Sequence, residues 1–283
     1  MRKTFFIAAT IWVFTLLKIT GQTLSNPTPT PPTMSVGASV NISGKQRMLS
    51  QRMAKAYMYI GMNINADAAT KERNNSIILF EENLKSLLAF TPTDKINLLL
   101  LKEENLWQEY KKLIVSDVTK ENAKLILETN TTILTACDDV VKAYVEYAGS
   151  LKKEVDGVSS AIIADNINTS GRQRMLSQRL TFYYAAYVWG VAESATALRL
   201  KNLAEYLQQN FSQLITSEVN NTEIDDAMAG VVGDWREIEE KCVKDNCYTF
   251  ENKGVEVGKM YAFSATVLSK MDKITAMYAK LLE

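Results

Sequence analysis

The segment NISGKQRMLSQRM at residues 41–53 returns as NTSGRQRMLSQRL at residues 168–180, with ten of thirteen positions identical. A period of 127 residues is too long for a solenoid and marks the duplication of a whole folding unit. The echo extends beyond the motif. Trp107 answers Trp235 at an offset of 128, and Asp138 and Tyr144 answer Asp272 and Tyr278 at an offset of 134. The additional residues of the second copy fall around 242–251. Whatever fold the first copy adopts, the second must adopt too, with units expected at 35–155 and 156–283.

Each copy reads as helices. Four of the five prolines lie between Pro27 and Pro32, so the rest of the chain is nearly free of helix breakers. Apolar Ile77, Ile78, Phe80, Leu84, Leu87 and Leu88 follow helical spacing, and strand-like alternation is absent. Breaks at residues 91–94 and 117–119 divide the first copy into four helices, expected at 35–65, 70–90, 98–114 and from 120 onward. The second copy divides at 159–190, 192–216, 221–243 and 248–282. The expected fold class is all-α: two tandem four-helix up-down bundles. No proline interrupts residues 120–189, so helix four of the first copy is expected to run into helix one of the second. Such a helix would be about 105 Å long and would stack the bundles end to end. A turn near Gly149 or Gly157 would instead lay them side by side.

The N-terminus has Arg2 and Lys3, an apolar run over 5–17, and small or polar residues after it. This is the pattern of a secretory signal peptide, expected at 1–21, followed by a Pro/Thr-rich linker at 22–34. The expected location is periplasmic or secreted, with an N-terminal membrane anchor as the alternative. In an oxidising compartment Cys242 and Cys247 could bridge, while Cys137, set among apolar residues, is expected as a buried free thiol.

Lys plus Arg equals Asp plus Glu at 32 each, which argues against a nucleic-acid partner. The chain has no histidine, hence neither the commonest general base nor the commonest metal ligand. No G-x-S-x-G or G-x-x-x-x-G-K-[ST] occurs, and the paired acids Asp138-Asp139 and Asp225-Asp226 suit a solvated face. An enzyme is not expected, nor a cofactor or metal.

The motif carries the candidate chemistry. On a helix, Arg47 neighbours Ser43, Gly44, Ser50 and Gln51, and Arg174 neighbours Ser170, Gly171, Ser177 and Gln178. Both sets are small or hydrogen-bonding, without a carboxylate. Mid-helix glycine costs roughly 1 kcal/mol against alanine, so Gly44 and Gly171 point to the close approach of a helix or ligand. A buried guanidinium without an acid of its own suits a small planar oxyanion, which its fork can bind through two parallel hydrogen bonds. Two such arginines across a two-fold seam could hold one anion between them. The alternative is a helix-packing signature, with both arginines paired to acids elsewhere in the bundle or the seams serving dimerisation.

Arg52 and Arg179 have apolar surroundings and are expected to reach a carboxylate or water with their tips. The Asn-X-Ser/Thr triplets at Asn41 and Asn168 are read as incidental to the motif.

The pattern Asn, Gly three places on, Arg-Met, Ser and a second Arg resembles the signature helix of the PilJ/NarX-like sensory domain family. It is met by Asn41, Gly44, Arg47, Met48, Ser50 and Arg52, and again by Asn168, Gly171, Arg174, Met175, Ser177 and Arg179. The resemblance implies an extracytoplasmic four-helix bundle that binds nitrate or nitrite at a dimer seam, with Arg47 and Arg174 contacting the anion. Members of that family usually feed a cytoplasmic module. This chain departs from them in showing one N-terminal apolar segment and no output domain, so a separate membrane-bound signalling partner and a possible homodimer are expected.

Overall fold

A computed structural model describes residues 34–192, 196–239 and 253–283. The expected signal segment, most of the linker, and Cys242 and Cys247 lie outside the described residues. Among the described residues eight helices follow in order: α1 (Val36–Gly61), α2 (Ala66–Leu88), α3 (Asp94–Ile114), α4 (Lys120–Ser150), α5 (Ser160–Trp189), α6 (Thr196–Ile215), α7 (Thr222–Glu239) and α8 (Lys253–Lys280). Four of their starts are set by side chains that satisfy first-turn amides. Ser35, Thr93, Thr119 and Ser159 each accept from the backbone N–H three residues on. Gly190, with φ 72°, closes α5 in the left-handed conformation.

The long shared helix does not form. Between α4 and α5 the chain makes a two-stranded antiparallel hairpin, β1 (Glu154–Val155) and β2 (Val158–Ser159). Asp156 and Gly157 form its tip with φ of 50° and 82°. Two consecutive positive φ values are the requirement of a type I′ turn, and Asp-Gly is a preferred pair for it. The chain reverses there, and the halves lie side by side rather than end to end. The side-by-side alternative is the one observed.

Residues 34–283 form one compact unit. α1 and α5 are its centre and make the most extensive helix contact among the described residues. They run in parallel: Arg47 reaches Asn168, Lys55 reaches Gln178, and Gly61 packs on Trp189. α2 and α4 cover α1, and α6 and α8 cover α5. The core follows the repeat. Trp107 and Trp235 are both buried, and their indole N–H groups donate to Glu81 and Gln208 at matching places on α2 and α6. Gln46 and Gln173 likewise donate to the carbonyls of Phe80 and Leu207. Met48, Met53 and Met58 fill the core, as does Cys137, which is a buried free thiol.

Candidate functional site

Where α1 crosses α5, the two motif arginines meet. Arg47 and Arg174 are both wholly buried. Nη2 of Arg47 donates to the carbonyl of Asn168 at 3.2 Å, and Nη2 of Arg174 donates to the carbonyl of Asn41 at 3.3 Å. The exchange is reciprocal across the seam. Both Nη2 atoms lie within 3.6 Å of the point where a Cβ on Gly44 would stand, and within 3.5 Å of the matching point on Gly171. The glycines are therefore the floor on which the two forks converge. This is the close approach expected from their place in the helix. The seam is assembled within one chain, so a second chain is not needed to complete it.

The expectation that neither arginine has an acid of its own does not hold. Nη1 of Arg47 bonds Asp138 on α4 at 2.6 Å, and Nη1 of Arg174 bonds Asp272 on α8 at 2.5 Å. Helical neighbours reveal only what a residue's own helix carries, and both acids come from another helix. Asp138 is accordingly not the solvated-face residue expected. The repeat itself held the missing signal, since Asp138 and Asp272 occupy matching places in the two copies.

Each acid is also shared with a more exposed lysine: Asp138 binds Lys142 at 2.7 Å, and Asp272 lies 3.5 Å from Lys45. The two buried guanidinium groups are thus matched one to one by two carboxylates, each of which a lysine also draws toward solvent. Burial lowers the pKa of both arginines, and the adjoining aspartate only partly restores it. Arg47 adds repulsion on Arg174. Burial works to raise the pKa of each aspartate, yet the neighbouring arginine and lysine hold it below the usual carboxylate range. Each guanidinium retains a buried Nε without a partner, and the side-chain carbonyl oxygens of Asn41 and Asn168 are likewise unpaired. Asn41 and Asn168, which the signature pattern includes but which were not expected among the anion contacts, thus belong to the seam through their backbone carbonyls.

The serines and glutamines of the motif are otherwise engaged. Ser43 and Ser170 donate to carbonyls of their own helices, as do Ser50 and Ser177, which bond the carbonyls of Arg47 and Arg174. Gln51 accepts from Arg179 at 3.2 Å, and Gln178 accepts from Lys55 at 2.7 Å. These two glutamines lace the repeats together about one helical turn beyond the arginines.

The second arginines diverge. Arg52 reaches Glu72 at 3.0 Å, as expected of a tip seeking a carboxylate. Lys55, fully buried, also binds Glu72, at 2.6 Å; burial lowers its pKa to about 8 against the pull of that carboxylate. Among the described residues, Arg179 instead donates to neutral oxygens on Gln51, Asn130, Thr131 and Tyr183. Among the described residues, no group of His, Cys, Asp and Glu is arranged to hold a metal, and no helix is long and apolar enough to cross a membrane.

A family model described as type IV pili methyl-accepting chemotaxis transducer N-terminal, PilJ, matches residues 34–132 and again 159–246. No curated protein and no solved structure matches the chain.

Proposed function

This chain belongs to the PilJ family of type IV pili methyl-accepting chemotaxis transducer N-terminal domains, in two copies, and on that premise we propose that it is an exported, non-catalytic binding or sensing protein for a small oxyanion. The observation that carries the reading is the meeting of two wholly buried guanidinium groups over paired glycines, each with an Nε that no protein group uses. Buried like charges repel, and a small anion seated between the forks would relieve that cost. The unpaired Nε atoms give such a guest donors that no protein group uses. Nitrate is the first candidate and nitrite the second. The seam residues for it are Arg47, Arg174, Gly44 and Gly171, joined by Asn41 and Asn168.

A bound anion would draw α1 and α5 together, and a separate membrane-bound partner could read the resulting shift in population. Export rests on the N-terminal apolar segment.

One observation favours the packing alternative: the Asp138 and Asp272 pairs already give each arginine a counter-ion. Calorimetry on the full-length chain separates the two. The anion reading requires saturable nitrate or nitrite binding, at about one ion per chain, lost in both Arg47→Gln and Arg174→Gln. Absence of heat and of any thermal shift with nitrate, nitrite, sulfate and acetate leaves the packing reading standing.

A further inference from the structure

The two carboxylates of the arginine seam stand at matching places, yet they are not held alike. Asp138 is clamped at both oxygens. Its Oδ1 bonds Arg47 at 2.6 Å, and its Oδ2 bonds Lys142, one turn on along α4, at 2.7 Å. Asp272 meets both of its cations among the described residues with Oδ1 alone, Arg174 at 2.5 Å and Lys45 at 3.5 Å. Side-chain exposure follows the same order, 28% for Asp138 and 44% for Asp272.

The sequence accounts for the difference. The offset of 134 that aligns Asp138 with Asp272 places Ala276 opposite Lys142, so α8 offers no lysine one turn on. The second cation of Asp272 comes from α1 instead. The counterpart of Lys45 in the second motif is Arg172, which is turned to the side-chain oxygen of Asn210 at 3.3 Å and to the ring of Tyr206. Asp272 also borders a cavity of about 450 Å³ among α1, α2 and α8, whose lining includes Lys45 and Lys273. A carboxylate held at one oxygen on a cavity wall can pivot outward at small cost, because it moves toward water rather than into the core. Asp138 would have to release two cations at once.

We infer that Asp272 is a displaceable internal counter-ion: it occupies Nη1 of Arg174 and yields that place, while keeping Lys45, to an anion that arrives through the cavity among α1, α2 and α8. This inference rests on the oxyanion reading of the seam and adds its regulation. The tethered carboxylate competes with the guest, so the apparent affinity is the intrinsic one reduced by the fraction of molecules in which Asp272 has swung out. The seam therefore responds only to anion concentrations that outcompete its own acid. The two halves also take different parts, the α4 side fixed and the α8 side movable.

The test is calorimetric titration of nitrate into the full-length wild-type chain, Asp272→Asn and Asp138→Asn. The two variants remove the same charge at matching places. Affinity should rise about tenfold in Asp272→Asn and by less than about threefold in Asp138→Asn. Binding seen only in Asp272→Asn supports the inference in its strongest form. Equal tightening in both variants reduces the effect to net charge and overturns it, as does an unchanged affinity in Asp272→Asn; in either case nitrate binding itself leaves the seam reading intact. If neither the wild type nor Asp272→Asn binds nitrate, the seam reading fails and the inference falls with it. Should Asp272→Asn fail to fold, Lys45→Gln and Lys142→Gln decide. Nitrate binding should weaken several-fold in the first, where Asp272 loses the partner it swings to, and hold in the second; an equal response in both overturns the inference.

Discussion

A single methyl group tests the floor of the arginine seam. A Cβ on Gly44 would meet Nη2 of Arg174 at 3.4 Å, an ordinary contact, whereas one on Gly171 would meet it at 3.1 Å. Alanine gains up to about 1 kcal/mol in helix propensity at either position. Gly44→Ala is expected to hold or raise the melting temperature, and Gly171→Ala to fall below it, because Arg174 is tethered by Asp272 and Asn41 and cannot easily give way. Paired thermal melts read this ordering directly. Glu103 offers a second probe. It is wholly buried beside Cys137 at 3.4 Å, and burial raises its pKa to about 7, with the thiol and Gln46 opposing only in part. Its folded pKa exceeds its unfolded one, so the native state binds the additional proton. Its contribution is complete below the unfolded value near 4.5 and is lost as pH rises through about 7. Glu103→Gln should therefore flatten the decline of melting temperature between pH 5 and 8.

Among the elements, the hairpin between α4 and α5 decides the architecture. With φ at 82°, Gly157 occupies a region that side chains disfavour. Gly157→Ala is expected to cost about 1 kcal/mol or more by denaturant titration and to leave anion affinity unchanged, since the turn is remote from the seam. The helices on either side behave as a matched pair with one substituted rung. Lys55 on α1 corresponds to Phe182 on α5, and both are buried. Lys55 is held by Glu72, Gln178 and Ser264, so α1 contacts α2, α5 and α8 through one ammonium group. The same place on α5 is filled by an aromatic side chain. The repeats have thus diverged in polarity while keeping their backbone register.

For the whole molecule, parallel packing of α1 against α5 makes the chain its own pseudo-dimer. Stoichiometry should be near one small anion per chain at the seam, with an affinity independent of protein concentration. Calorimetry at two protein concentrations checks both. Removing Asp138 or Asp272 should destabilise by a similar amount, about 2–3 kcal/mol each in Asp→Asn variants, because each leaves a buried guanidinium short of its counter-ion. Chemical denaturation measures that symmetry. The amino-acid sequence by itself determined the duplication, the helical class, the breaks at 91–94 and 117–119, and the motif arginines as the charged feature to explain. These are local or periodic properties, readable from spacing alone. Only the tertiary structure decided that the chain folds back at Asp156-Gly157, that Asp138 and Asp272 reach the arginines, and that the motif's serines and glutamines serve other partners. Those outcomes depend on which helices become neighbours, and helix periodicity reports the buried face of a helix without naming what will cover it.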